Sequence, residues 1–530
     1  MCIATTSSIN DENQSMSVSQ VSEDKERLKT MVVAAITESL PDLVENERAN
    51  DEANGKFARI ANALEGSNAS LKVNTLSGGY SNLSYQIQLE QEEESNSNSI
   101  LLFAKLCFER ALWNPDSPKA YLLDRTVNEF TIMNRILDTV IDTDDIVAEP
   151  HLCLDLLHGD IKMKLLVTAW SKSGDEQFAN QIIDGIIDKR VAPRLGKFMA
   201  QINAMEEFPK DINDDVRDIL LGTTEGNLNK MEQALQTNLD DDVVKDKRLC
   251  ELAQSWGADV CRDIFLLNEK DLKQKECFGH QDLHLFNILV EAKPPVSTLE
   301  NFGPNGTVAV VDWELAFWGP KGRDMGLLWS WPISALLAHT LNGHADNVYN
   351  AMLSLMDQSW DAYAKQMLES HHVDEEDLKR TYRNSMAWAG WFVFFSHYNF
   401  GAQIEHFTGY NELSPTDQDT LREAIGIVGL KLLHYCYINE DGQNLDSVSI
   451  SDMTETRNAI FNDELQVLNG IAASRRRRSQ RMSTLRLSNR RLSDAAFHSS
   501  FVNASFVKAR EDSIRNSAVR YEVISEDSED

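Results

Sequence analysis

A chain of 530 residues, 42% hydrophobic and 25% charged, holds enough apolar material for two or more domains and has the balance of an ordinary globular protein. Its net charge of −32 argues against nucleic acid as the main partner, because phosphate backbones demand clustered Lys and Arg. No apolar run approaches the roughly 18–20 residues of a membrane span. Seven scattered cysteines without a Cys-x-x-Cys pair point to free thiols in a reducing compartment, so the cytoplasm is the expected location.

Residues 1–25 are rich in Ser, Asn, Asp and Glu and lack apolar periodicity, which predicts disorder. From Lys25 the apolar residues Leu28, Met31, Val32, Ala35 and Ile36 recur at helical spacing. Phe57, Ile60, Ala61 and Leu64 repeat that pattern, predicting one or two leading helices. At Leu71 the period changes to two. Leu71, Val73 and Thr75, then Leu83, Tyr85, Ile87 and Leu89, predict a hairpin around Ser77-Gly78-Gly79-Tyr80-Ser81-Asn82.

The run Ile100–Ala104 predicts a strand that ends on Lys105, and helical spacing from about Leu122 places Glu129 on one face with Arg125 and Met133. Leu165–Trp170 predicts another strand, and the polar Ser171–Glu176 reads as a connection between a small sheet domain and a helical one. Helices are predicted at 178–188, 191–206, 228–238 and 247–267, then at 324–342, 345–370, 376–405 and 416–437. After about Gly470 the chain becomes basic and dotted with serine. Between Arg475 and Arg520 lie 12 basic and 3 acidic residues, so the rest of the chain is more acidic than the total suggests.

The chemistry concentrates in residues 278–326. Asp282 and Asn287 have the spacing of a kinase catalytic loop, in which the Asp orients or accepts the proton of a hydroxyl and the Asn binds metal. A second apolar run, Val308–Val311, delivers Asp312 and Glu314; if the strand continues extended, both point the same way and suit Mg²⁺. Phosphoryl transfer asks for alignment and charge neutralisation rather than covalent chemistry, and these residue types supply both. Upstream, Gly78, Gly79, Ser81 and Asn82 read as a loop over ATP phosphates, and Lys105 paired with Glu129 as the ion pair that holds a lysine on them. Each of these signals is modest alone, and their order along the chain carries the reading. His280 and His284 lack a third ligand for zinc, so His280 is read as structural. Trp329, Trp331, Trp388, Trp391, Phe392, Phe394 and Phe395 read as core, with a minority lining a substrate pocket.

From Leu71 to Tyr437 the chain resembles the aminoglycoside phosphotransferase and choline kinase superfamily of small-molecule kinases. Within it, Asp282-Leu283-His284, the stretch Asp312–Gly326, and the Leu123-Asp124-Arg125 to Glu129 pattern are most similar to methylthioribose kinase. The resemblance implies an α+β, protein-kinase-like bilobal fold, with a small antiparallel β-sheet N-lobe and a larger, mainly helical C-lobe. It implies Lys105 on the nucleotide phosphates, Asp282 as base, and Asp312 with Glu314 on Mg²⁺. Gln281 stands where that family usually has Gly, the 78–82 loop is closer to choline kinase, and Ala389–Ser396 holds no arginine.

The domain expectation is a disordered 1–25, a nucleotide-binding lobe with leading helices at 26–170, a catalytic helical lobe at 171–470 and a disordered tail at 471–530. The activity expected is transfer of the ATP γ-phosphoryl group to a small-molecule hydroxyl substrate, with methylthioribose or a related sugar ahead of choline or ethanolamine. A non-catalytic scaffold is the alternative. No nucleic acid and no membrane span are expected, while a homodimer and regulatory phosphorylation at Ser479, Ser483, Ser488 and Ser493 are.

Overall fold

The computed structural model describes residues 2–3, 25–49, 58, 61, 69–76, 82–91, 101–109, 123–140, 146–158, 161–170, 176–241, 244–291, 308–343, 345–370, 373–399, 404–407, 409–438 and 448–500. Two compact units divide the chain, 1–465 and 466–530.

The first unit begins with a sheet built from β1 (Cys2–Ile3), β2 (Ala69–Leu76), β3 (Leu83–Gln91), β4 (Leu101–Phe108), β5 (Pro150–His158) and β6 (Ile161–Ala169), in the order β1-β5-β6-β4-β3-β2. All pairs are antiparallel except β1 with β5. Of the stretch 1–25 expected to be disordered, Cys2 and Ile3 pair with Cys153 and Leu154 at the sheet edge, and residues 4–24 lie outside the described residues.

Alternation decides which face each strand residue takes. One face, with Tyr85, Ile87, Ala104, Leu106, Leu154, Leu165 and Val167, is covered by helix α1 (Lys25–Ala49), whose Leu28, Met31, Val32, Ala35, Ile36 and Leu40 form its buried stripe. Cys153 and Leu166 belong to the opposite face and pack on Phe130 of α2 (Asp124–Thr139). The sheet therefore lies between two helices. Lys105, between Ala104 and Leu106, must leave the α1 core and turn towards α2.

Beyond Trp170 the chain turns helical, with α3 (Phe178–Asp184), α4 (Val191–Asn203), α5 (Asp214–Gln236), α6 (Lys247–Trp256), α7 (Ala258–Leu272), α8 (Arg323–Asn342), α9 (Ala345–Glu369), α10 (Glu375–Phe392), α11 (Pro415–Tyr437) and α12 (Ile450–Ser500). Short strands flank the residues singled out in 278–326: β7 (Glu176–Gln177), β9 (Ile288–Val290) and β10 (Val308–Val310) in one ribbon, β8 (Cys277–Gly279) with β11 (Phe317–Gly319) in another. A small antiparallel sheet lobe and a larger helical lobe make a bilobal α+β fold, as expected. Helix α8 is buried from Arg323 through Leu341 and forms the axis of the helical lobe, which is where a helix apolar on every side belongs.

Several boundaries differ from the sequence reading. Gly257, with a φ of 84°, breaks the single helix expected at 247–267 into α6 and α7. Helix α5 starts at Asp214, well before 228, because Asp214 and Asp215 favour a first helical turn that apolar periodicity does not reveal. Helix α10 stops at Phe392 and widens into a π-helical stretch over Val393–Asn399. In the second unit, residues to Ser500 continue α12, correcting the disorder expected from 471; Ala, Arg, Leu and Met in that stretch are good helix formers. Among the described residues no helix is long and apolar enough to cross a membrane.

Candidate active site

The Lys105 ammonium enters a group of three carboxylates: 3.0 Å from Glu129 Oε2, 2.5 Å from Asp312 Oδ1 and 2.7 Å from Glu314 Oε2. Asn82 Nδ2 donates to Glu314 Oε2 at 3.1 Å, joining the start of β3 to the same group. Five residues singled out by sequence thus meet at one point. Gly78, Gly79 and Ser81 lie outside the described residues. Burial alone would lower the lysine pKa, but Asp312, Glu129 and Glu314 outweigh it and hold the ammonium charged well above its ordinary range. Burial raises the Glu129 carboxyl, against the pull of Lys105. For Asp312 burial also pushes upward, but Lys105 prevails and holds it below the usual carboxylate range.

The expectation of an extended chain through Asp312 and Glu314 is corrected. Asp312 is left-handed (φ 69°, ψ 61°) and opens a 3₁₀ turn over Trp313–Leu315. That turn lets both acids reach Lys105 while the Trp313 N–H donates to Glu129 Oε1 at 3.0 Å. Asn213, itself left-handed at φ 54°, holds the turn from behind by donating to Ala316 O at 2.7 Å and Glu314 O at 3.3 Å. Its Oδ1 accepts from Asn128 Nδ2 at 2.7 Å, and Arg125 pairs with Asp215, so α2 is tied directly to this turn.

The 280–287 loop lies nearby. Asn287 Nδ2 donates to Asp282 O at 3.0 Å and reaches Asp282 Oδ2 at 3.5 Å, closing the loop on itself. His280 is buried; its Nε2 bonds Val311 O at 3.0 Å and its Nδ1 accepts from the Asp282 N–H at 3.3 Å, the backbone role expected of it. Burial lowers its pKa to about 4, so the ring is neutral, with Nε2 as donor and Nδ1 as acceptor. The Asp324 carboxylate, at the start of α8, accepts from His280 N at 2.9 Å and Gln281 N at 2.6 Å. Burial raises Asp324 to about 6, and raises Asp282 too, with Asp312 and Glu314 adding to that effect and His284 and Arg323 opposing it.

A cleft of about 250 Å³ opens between the lobes. Leu76, Phe103, Met133, Leu166 and Leu289 give it apolar walls, and Lys105, Glu129, Asn287 and Asp312 add polar groups to the lining. A mostly apolar lining with a few charged groups is the character of a small-ligand site. The carboxylate oxygens of Glu129, Asp312 and Glu314 lie within 4.8 Å of one another, an all-oxygen donor set that suits a hard divalent cation.

Asp324, Asn213 and Arg323 escaped the sequence reading as site residues. The Arg323 guanidinium is buried over Trp388 at 4.5 Å, Phe392 at 4.9 Å and Trp391 at 5.9 Å, and its Nε donates to Gln281 O at 3.3 Å. Those aromatics therefore hold the protein's own cation, and the core reading applies to them.

Residues 183–354 match the phosphotransferase enzyme family, APH. The matched stretch runs from the end of α3 into α9 and contains Asp282, Asn287, Asp312, Glu314 and Asp324. Lys105, Glu129 and Asn82 lie outside it. Comparison with curated proteins gave no match. Among solved structures, a glucosamine kinase (crystal form B) is similar at 12% identity and a TM-score of 0.33, over 75% of this chain and 84% of that one. A likeness that low carries no weight on the substrate.

Proposed function

We propose that the protein is an ATP-dependent small-molecule kinase that phosphorylates a hydroxyl group of a metabolite. The convergence of Glu129, Asp312 and Glu314 on Lys105, beside an apolar cleft, carries this reading. A bound magnesium nucleotide would supply the phosphoryl group and neutralise its developing charge. Leu76, Phe103, Met133, Leu166 and Leu289 offer the apolar slot for its base. Lys105, held by Glu129, would meet the phosphates, and Asp312, Glu314 and Asn287 would hold the metal.

Asp282 orients the acceptor hydroxyl and takes its proton. Burial raises its pKa towards the range where a carboxylate is a better base, and Asn287 limits its movement. The acceptor we favour is a sugar such as methylthioribose or a relative. Choline and ethanolamine follow.

The test is turnover of Mg-ATP against a panel of small sugars and amino alcohols. A stoichiometric phosphomonoester with one acceptor class supports the reading. Tight nucleotide binding without turnover on any member would favour the scaffold alternative.

A further inference from the structure

Gln281 has a combination of features that ordinary core packing does not produce. It is 2% exposed, its backbone is left-handed at φ 64°, and its Oε1 makes no hydrogen bond among the described residues. A non-glycine residue in that conformation and a buried polar atom without a partner each cost free energy, and such features persist where the surroundings over-determine them. Here the surroundings are specific. The Gln281 N–H donates to Asp324 Oδ1 at 2.6 Å and its carbonyl accepts from Arg323 Nε at 3.3 Å, so both ends of its backbone are fixed to the first turn of α8.

The side-chain amide fills a slot that only glycine leaves open. Gly279 pairs with Phe317 and Gly319 with Cys277, so the two glycines lie diagonally on one face of the β8–β11 ribbon. A Cβ on Gly279 would stand 2.7 Å from Gln281 Nε2; one on Gly319 would stand 2.7–2.9 Å from Nε2, Cδ and Oε1. The next residue in the chain is Asp282.

Building on the kinase reading above, we propose that Gln281 is a positioning residue for Asp282. Its amide, wedged against Gly279 and Gly319, sets the backbone angle at which the Asp282 carboxylate is presented to the acceptor. Asp324 fixes the loop at its amide end and the wedge fixes the side on which Asp282 emerges. Gln281 itself touches no reacting atom.

Two variants and their combination test this. Gln281→Gly keeps the left-handed backbone and removes the wedge; Gly319→Ala keeps the wedge and pushes it out of its slot. In the full chain, both single variants are expected to speed amide hydrogen exchange across 280–287 while leaving the thermal unfolding of the whole protein nearly cooperative. Adding Gly319→Ala to Gln281→Gly should give no further effect, since the added methyl then meets no amide. On an acceptor that the wild type turns over, each single variant should lower kcat about tenfold with the KM for nucleotide unchanged.

Unchanged exchange in 280–287 for Gln281→Gly, or strictly additive effects in the double variant, would overturn the proposal. The exchange arm needs no catalysis, so a wild type that turns over nothing in the panel counts against the kinase reading alone.

Discussion

At the scale of single residues, the site depends on one cation among three acids. Lys105 is the shared partner of Glu129, Asp312 and Glu314, and removing one member of a buried ionic group leaves the others uncompensated. Lys105→Met is therefore expected to destabilise the fold by about 3–5 kcal/mol at neutral pH. Added Mg²⁺ should recover part of that loss, raising the melting temperature of the variant more than that of the wild type. Equal melting temperatures with and without the lysine would contradict the geometry.

These residues were legible because each stands beside a recognisable element and they occur in a fixed order. Asp324 and Asn213 were not, since nothing local marks a carboxylate that caps a distant loop or a left-handed Asn that bonds carbonyls about a hundred residues away. Gln281 was noticed only as a departure from a glycine. Its positive φ explains why glycine would suit that position.

At the scale of elements, the sheet lobe depends on a helix that precedes it in the chain. Without α1 the sheet would expose Tyr85, Ile87, Leu106, Leu154 and Leu165 to water. Ile36→Ala removes one fully buried side chain from that stripe and should cost about 2–5 kcal/mol, read from the denaturant midpoint. A change below about 0.5 kcal/mol would mean that α1 is a loosely attached leader. Its apolar stripe was plain in the sequence, but its partner was not, because periodicity shows that a face is buried and never against what. The same limit explains the turn after β10: alternation suggests a strand through Glu314, whereas the chain breaks left-handed at Asp312 to meet Lys105.

At the scale of the whole molecule, buried neutral histidines tie stability to pH. His397 lies against Trp331, and burial lowers its pKa from 6.5 to about 3. The unfolded chain then binds a proton at mild acidity and the folded one does not. The contribution of His397 is complete above pH 6.5 and declines as pH falls from 6.5 towards 3, by about 2 kcal/mol at pH 5. Asp324, raised to about 6, works in the opposite sense between 3.8 and 6, so the comparison should isolate the histidine. His397→Phe should lose less stability than wild type between pH 7 and pH 5 in denaturant titrations; parallel losses would refute the assignment.

The central claim is that Asp282 and the Lys105 cluster form one phosphoryl-transfer site. Phosphorus NMR of the protein with Mg-ATP and the acceptor panel tests it most directly, run beside Asp282→Ala. The expected result is a new phosphomonoester signal with wild type, reduced on the order of 10²–10⁴-fold in the variant while nucleotide affinity is retained. Equal signal from both proteins would contradict the account.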